Sequence, residues 1–235
     1  MQQANMMQGI QMAAWAHDLR TPMCIAAGAA QTALEAGEGD VSAQLRQILQ
    51  AVSTMDRMLS MMSESLQTAD GGFTKEMLQE ELLAMTAQKA AEKHQNMHID
   101  LSALDGYVLE TDYAALSRLL MNLLGNAVKY TQEGGEITLR AQMTHERWRK
   151  DAAHIRFVVA DNGPGMSRAF MKRMFMPFAR AQETVNQPGR GLGLAIAKDM
   201  ARRLGGTIHV RSERGRGTVF AVSVPVRIRK DGEVG

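Results

Sequence analysis

The stretch LSRLLMNLLGNAVKYT, residues 116–131, separates into an apolar face and a polar face when it is wound as an α-helix. Its polar face carries Asn122, Asn126 and Lys129, which recur at spacings of four and three residues. The neighbouring face is made of leucines: Leu116, Leu119, Leu120, Leu123 and Leu124. We therefore predict a helix near residues 112–130 that packs one side against a core and keeps amide and amine groups on another.

The segments around this helix alternate between helical and strand-like patterns. We predict two further helices near residues 74–94 and 193–204. Short apolar runs typical of strands occupy residues 98–101, 107–109, 136–141, 155–160, 207–211 and 218–224. Strands interleaved with helices indicate a two-layer α/β sandwich, which we place at residues 73–226. We interpret residues 227–235 as a short basic tail.

The first 68 residues predict a different architecture, a helical hairpin. From Val41 to Leu66 the apolar positions alternate spacings of four and three, as in a heptad seam. A weaker, alanine-rich seam runs from Met12 to Ala33, and the intervening Gly37-Glu38-Gly39-Asp40 supplies a helix stop and an N-cap. A lone hairpin leaves its seams half covered, so we predict a homodimer through residues 1–68, with a four-helix bundle. Residues 69–72, Ala-Asp-Gly-Gly, form the predicted linker.

Composition excludes several classes of protein. The chain has 235 residues, 45% of them apolar, and 27 basic against 25 acidic side chains, for a net charge of +2. That balance does not favour nucleic acid as a partner. The single cysteine, Cys24, excludes an internal disulfide and any multi-cysteine metal site. No apolar run approaches the ~18 residues that a membrane span needs, so we expect a cytoplasmic chain.

Two glycine-rich loops and one histidine could carry chemistry. The loop at residues 189–194 opens a predicted helix, where free N–H groups suit phosphate, although such turns are common in ordinary structure. Asp161 ends a strand-like run before a second glycine-rich loop and could accept a hydrogen bond from the exocyclic amine of adenine; the alternative is an ordinary Asx turn. His17 has Asp18 beside it, and a neighbouring carboxylate can orient an imidazole as a nucleophile.

Six motifs resemble those of the catalytic core of bacterial two-component sensor histidine kinases and occur along the chain in that family's order. The resemblance covers about residues 1–225. His17-Asp18-Leu19-Arg20-Thr21-Pro22 resembles the phosphoacceptor box, and residues 122–131 resemble the N box. The other four are Asp161–Gly165 and Gly189–Leu194 (glycine boxes), Phe175–Phe178 (the F box, with Met176 where an acidic residue is common) and Gly215–Thr218 (the last glycine box).

The resemblance implies a role for each matching residue. His17 would be phosphorylated, Asp18 would be its general base, and Thr21 would position water for dephosphorylation of the partner response regulator. Asn126, assisted by Asn122, would bind Mg²⁺. The residues implied in ATP binding are Asn122, Asn126, Lys129, Tyr130, Asp161, Gly163, Gly165, Arg180, Gly189, Gly191, Leu192, Gly193 and Thr218. Residues 179–192 would form a mobile lid over ATP.

Two other functions are compatible with parts of this pattern. Chaperone, gyrase and mismatch-repair ATPases carry a water-activating glutamate where this chain has Asn122, so hydrolysis is the weaker alternative. A dimeric scaffold that binds ATP without transfer is the other alternative, and loss of labelling would favour it. Transfer within a protomer and transfer across the dimer are both compatible with the hairpin. We interpret the chain as a fragment, because Met1 stands almost directly before a predicted helix; a membrane would then be reached only through sensor segments outside it.

Overall fold

The computed structural model describes residues 23–33, 72–180 and 191–232, together with positions 44, 45, 48, 51, 52 and 55. The chain divides into two units, Met1–Thr68 and Ala69–Gly235. The predicted site residues His17, Asp18, Thr21 and Gly189 lie outside the described residues, as do linker positions 69–71 and lid positions 181–190.

In the first unit, residues 23–33 are helical, which agrees with the predicted first helix of the hairpin. Ala29 and Ala51 are buried within the single chain, at 6% and 4% exposure. Other apolar side chains in this unit remain exposed, namely Met23, Ile25, Leu45 and Val52. Met23, Leu45 and Val52 belong to the predicted seams, so part of each seam is uncovered in one copy of the chain.

The second unit is built on a six-stranded mixed sheet. Its strands are β1 (Asn96–Asp100), β2 (Tyr107–Glu110), β3 (Glu136–Glu146), β4 (Arg149–Asp161), β5 (Thr207–Glu213) and β6 (Gly217–Lys230). The order runs β1-β3-β4-β6-β2, with β5 also paired to β6, and only the β1–β3 pair is parallel. Alternate residues are buried, for example Ile155, Phe157 and Val159 on β4, so one face of the sheet packs inward.

In the described part of this unit the helices are α1 (Lys75–Glu92), α2 (Tyr113–Tyr130), α3 (Arg168–Met171) and α4 (Gly193–Arg203), with a short 3₁₀ turn at Ser102–Leu104. All five leucines of the predicted apolar face of α2 are at most 1% exposed. Burial of each such side chain stabilises the fold by about 2 kcal/mol. Together with the one-sided sheet, this confirms the predicted two-layer α/β sandwich.

The N-terminus of α2 is held from two directions. Asp112 Oδ1 accepts a hydrogen bond from the Ala115 N–H at 2.9 Å, as an N-cap does. Its other carboxylate oxygen pairs with Arg203 Nε of α4 at 2.7 Å. One aspartate therefore fixes both the start of α2 and the position of α4 beside it.

The entry of the chain into this unit is held by Phe73. Its N–H donates to Leu109 O at 2.9 Å and its carbonyl accepts from the Leu109 N–H at 2.8 Å. The Phe73 side chain is 3% exposed and packs against the Tyr113 ring, with centroids 4.7 Å apart.

Two sequence interpretations need correction. The tail predicted from residue 227 is wrong at its start, because β6 continues to Lys230 and pairs Arg227–Lys230 with β2. Ile228 is buried in this extension, while Arg229 Nε lies 3.5 Å from Glu110. The strands predicted at 136–141 and 155–160 are also too short, since β3 and β4 extend into a long hairpin that closes at residues 147–148. Backbone hydrogen bonds to a neighbouring strand hold both extensions, so the strands continue beyond the apolar runs from which they were predicted.

Among the described residues, no helix is both long enough and apolar enough to span a membrane.

Candidate functional site

A cavity of about 410 Å³ lies beside the polar face of α2. Its wall includes the loop after β4, the start of α4 and one end of β6. The predicted site residues that line it are Asn126, Lys129, Tyr130, Asp161, Gly165, Arg180, Gly191, Leu192, Gly193 and Thr218. Segments far apart in sequence therefore meet around one space large enough for a small-molecule ligand.

Asn122 and Gly163 contact residues of the wall. Asn122 Nδ2 donates to Arg118 O at 2.7 Å, which leaves its Oδ1 available. A Cβ atom on Gly193 would lie 3.0 Å from Asn122 Oδ1 and 3.6 Å from Asn126 Nδ2. The first residue of α4 therefore approaches both amides closely, and its lack of a side chain keeps that space open.

Asp161 is held at the end of β4 by backbone donors. Its Oδ1 accepts a hydrogen bond from the Gly163 N–H at 2.9 Å, and the Thr218 N–H also donates to the carboxylate. Burial raises the pKa of the Asp161 carboxyl above its ordinary value, while these two hydrogen bonds act in the opposite direction. The group is an acceptor in its ionised form, in a partly dehydrated wall of the cavity.

The loop that follows Asp161 is attached on both sides. On one side, Asn162 Oδ1 accepts a hydrogen bond from the Glu136 N–H at 2.8 Å. On the other, the Gly215 N–H donates to Pro164 O at 2.8 Å, from the turn between β5 and β6. Gly165 has a φ of +65°, a conformation that a side chain would strain, and its Cα faces the backbone of Glu213. The loop is thus fixed where it borders the cavity.

Basic and aromatic groups complete the wall at the end of α2 and after α3. Lys129 Nζ donates to the Tyr130 hydroxyl at 2.8 Å and lies 4.4 Å from the centre of that ring. Arg180 also lines the cavity, and its carbonyl accepts from the Arg173 guanidinium at 3.4 Å. The N-terminus of α4 has no side-chain cap, so its first N–H groups suit an anion.

Sequence reasoning missed several residues that shape the site. Lys93 and Gln95 donate hydrogen bonds to carbonyl groups at the C-terminal end of α2, and Ser212 contacts both the Asp161 loop and Thr218. Apolar side chains that line the cavity were missed as well: Met166, Phe170, Met174 and Phe220. No local pattern marks these residues, because each is defined by a neighbour distant in sequence.

The amide pair on α2 fits a magnesium ion that is accompanied by phosphates. Mg²⁺ takes oxygen ligands and is commonly held by few protein groups when phosphate oxygens complete its shell. The Oδ1 atoms of Asn122 and Asn126 would lie 3.0 and 3.8 Å from a Cβ on Gly193, so both carbonyls border the same small volume. Neutral oxygens suit an ion whose charge the phosphates already offset.

Comparisons with known proteins agree on one family. Residues 111–228 match the model described as histidine kinase-, DNA gyrase B-, and HSP90-like ATPase. The sequence is 34% identical over 220 residues, 91% of this chain, to sensor protein KdpD of Escherichia coli (strain K12). It is 32% identical over 226 residues, 89% of this chain, to sensor histidine kinase AruS of Pseudomonas aeruginosa.

A solved structure resembles the chain over most of its length. Full-length ShkA in complex with AMPPNP matches with a TM-score of 0.56 and 26% identity, over 94% of this chain and 46% of that chain. The sequence relatives are longer, since the chain covers 24% of KdpD and 22% of AruS.

Proposed function

Because the chain belongs to the histidine kinase-, DNA gyrase B-, and HSP90-like ATPase family, we propose that it is the catalytic core of a sensor histidine kinase. It transfers the γ-phosphoryl group of ATP to His17, and from there to an aspartate of a separate response regulator. The observation that carries the proposal is that Asn126, Lys129 and Asp161 line the same cavity, in a chain with a His17-Asp18 motif. The AMPPNP in the matching ShkA structure supports a nucleotide as the ligand.

Different parts of the cavity wall suit the two ends of ATP, which are the adenine base and the phosphates. Asp161, ionised and held by backbone donors, accepts from the exocyclic amine of adenine. Lys129, Arg180 and the uncapped N-terminus of α4 attract the phosphates. Tyr130 packs against the base or the ribose, beside the apolar part of the wall.

The proposed metal site is formed by Asn126 and Asn122. A bound Mg²⁺ ion would offset charge on the phosphate oxygens. The task of the two amides is to present carbonyl oxygens at the start of α4, and the space beside Gly193 leaves room for this.

The transfer step requires a nucleophile in line with the γ-phosphorus. Nε2 of neutral His17 forms the new P–N bond as the bond from the γ-phosphorus to the bridging oxygen breaks, and ADP leaves with that electron pair. Asp18 orients the imidazole and accepts its Nδ1 proton. A response-regulator aspartate then takes the phosphoryl group and regenerates His17.

The acidic and basic side chains near the cavity favour transfer of the phosphoryl group to histidine over hydrolysis of ATP. Among the described residues that line it, Asp161 is the one carboxylate, and its oxygens accept the Gly163 and Thr218 N–H groups. Asn122 is an amide and cannot act as a base toward water. The described wall therefore offers no group suited to activating a water molecule for attack on ATP.

The remaining proposals concern the first unit. We propose that residues 1–68 form the homodimer, because Met23, Leu45 and Val52 expose apolar seam positions in the single chain. A partner copy would cover such a seam. We also propose that Thr21 positions water for dephosphorylation of the regulator, and that residues 69–72 are the linker before the paired Phe73.

The test is incubation of the full chain with γ-labelled ATP and Mg²⁺, followed by exposure of the product to acid and to alkali. Label that is lost in acid and retained in alkali identifies a phosphohistidine. The variant His17→Gln is expected to lose all label while still binding ATP. Asn126→Ala is expected to lose both label and Mg²⁺-dependent ATP binding.

The matched control is His209→Gln, because His209 is exposed on strand β5 and does not line the cavity. It should label as the unaltered chain does. ATP binding without any label would favour the scaffold alternative, and persistent label in His17→Gln would assign the phosphoacceptor to another residue.

A further inference from the structure

Ser212 connects three parts of the candidate nucleotide site through one hydroxyl group. The Met166 N–H, at the end of the Asp161 loop, donates to Ser212 Oγ at 2.8 Å. Gly217 O lies 2.9 Å from the same oxygen, and Thr218 Oγ1 lies 2.9 Å from it. Ser212 and Thr218 are directly opposite each other on β5 and β6.

The number of protons decides which atoms donate in this group. A serine hydroxyl has one proton and two lone pairs. Gly217 O can only accept, so the Ser212 proton must point toward it if that contact is a hydrogen bond. The Thr218 hydroxyl must then donate its own proton to Ser212 Oγ. If the Ser212 proton pointed toward Thr218 instead, the oxygens of Ser212 and Gly217 would face each other 2.9 Å apart with no proton between them. If it pointed toward Met166, Ser212 Oγ would offer no lone pair to the Met166 N–H.

The Thr218 hydroxyl is therefore fixed as an acceptor toward anything else it meets. Thr218 lines the cavity, as Asp161 does, and their residues pair across β4 and β6. An ionised carboxylate also offers only lone pairs. This end of the cavity thus presents two oxygens of the same polarity, one on each strand.

We propose that Ser212 is a positioning residue that fixes Thr218 as a hydrogen-bond acceptor, so that the cavity selects 6-aminopurine over 6-oxopurine nucleotides. A 6-amino group donates hydrogen bonds to such acceptors, whereas a 6-oxo group faces them with further lone pairs. Without Ser212 the Thr218 hydroxyl could rotate and donate to the 6-oxo group. This inference rests on the proposed binding of ATP, and it adds a residue that acts through its neighbour.

The experiment compares ATP with inosine triphosphate, whose base has a 6-oxo group in place of the 6-amino group and a proton on N1, by calorimetric titration of the full chain with Mg²⁺. The variant Ser212→Ala should weaken ATP binding about three- to tenfold, as loss of an oriented hydrogen bond does. Binding of inosine triphosphate should weaken less or improve. The dissociation constant for inosine triphosphate divided by that for ATP should therefore fall, by about three- to tenfold if binding of inosine triphosphate is unchanged. Ser212→Thr, which keeps the hydroxyl, should restore most of the ratio.

Two further variants distinguish a role of Ser212 in nucleotide selection from a role in supporting the Asp161 loop. Ser117→Ala is the matched control, because Ser117 is a buried serine whose Oγ has no hydrogen-bond partner among the described residues; both dissociation constants should stay unchanged. Thr218→Val removes the acceptor itself. In that background Ser212→Ala should change the ratio no further, because Ser212 acts through Thr218.

Each result has a distinct meaning. An equal loss of affinity for both nucleotides in Ser212→Ala would overturn the inference and leave Ser212 as a support of the Asp161 loop. A further fall in the ratio when Ser212→Ala is added to Thr218→Val would also overturn it. Failure of the unaltered chain to bind either nucleotide would instead remove the proposed function, and this inference with it.

Discussion

Replacement of Lys93 by methionine should loosen the end of α2 that carries Lys129 and Tyr130. Lys93 Nζ donates to Val128 O at 2.9 Å, Lys129 O at 2.8 Å and Thr131 O at 2.9 Å. These carbonyls belong to the last turn of the helix, where no further turn supplies donors. A cation at this end also interacts favourably with the helix dipole.

The expected loss of stability in Lys93→Met depends on which of these carbonyls keep another hydrogen-bond donor. Gln95 Nε2 also donates to Val128 O at 3.1 Å and to Thr131 O at 2.8 Å. Lys129 O is therefore the carbonyl that depends most on Lys93, and one hydrogen bond to a charged group contributes about 1.5–3 kcal/mol. Methionine keeps most of the apolar stem of lysine. We expect Lys93→Met to lower the free energy of unfolding by about 2 kcal/mol, or roughly 4–8 °C in melting temperature for a unit of this size.

The assay is thermal melting of the full chain, with ATP titration of the same samples. Lys89→Met is the matched control, since Lys89 is an exposed lysine in the last turn of α1. Its effect should stay within about 0.5 kcal/mol. Lys93→Met should also weaken ATP binding, because Lys129 and Tyr130 line the cavity. Equal melting temperatures for the two variants would refute the assignment of Lys93 to the end of α2.

Three further predictions concern the same unit. Gly193→Ala should fold with nearly unchanged melting temperature yet bind Mg²⁺-ATP more weakly, because the new Cβ would lie 3.0 Å from Asn122 Oδ1; unchanged affinity in a titration would contradict this. Burial raises the pKa of Asp161, so ATP affinity should be fully present above that pKa and fall as pH drops through it, at a higher pH than an exposed aspartate would give. The same raised pKa makes the stability contribution of Asp161 opposite in sign, present at low pH and lost as pH rises through it; Asp161→Asn should abolish both trends in titrations and melting curves. Asp112→Ala should cost about 1–2 kcal/mol by removing the N-cap of α2 and the Arg203 pair, and Asp112→Asn, which retains the cap oxygen, should cost less than half of that in the same melting assay.

Much of the fold was predictable where the signal lies within one element. The leucines of α2 and its polar face follow from helical periodicity, and their burial agrees with that reading. The six strands were each found in the correct region, because alternation or an apolar run marks the part of a strand that faces the core. The ends of the strands were not predicted, because the apolar signal stops before the strand does. An example is Arg227–Lys230, which pairs with β2.

The residues of the candidate site likewise divide into those that the sequence identified and those that it did not. The sequence motifs named Asn126, Asp161 and Thr218, and these residues line one cavity. Sequence periodicity gave no sign of Lys93 or Ser212. Lys93 matters because it reaches carbonyls 35 to 38 residues away, and Ser212 matters because it contacts Met166, 46 residues away.

The sequence by itself determined which faces of its helices and strands are buried and which residues carry polar groups suited to a nucleotide. The tertiary structure decided how far the strands continue, which side chains hold the end of α2, and which hydrogen bonds orient the Thr218 hydroxyl beside Asp161. Periodicity is a property of neighbouring residues, and burial follows from it through the hydrophobic effect. Hydrogen-bond polarity and strand register depend on partners that are brought together only when the chain has folded, since each donor must meet an acceptor of matching position.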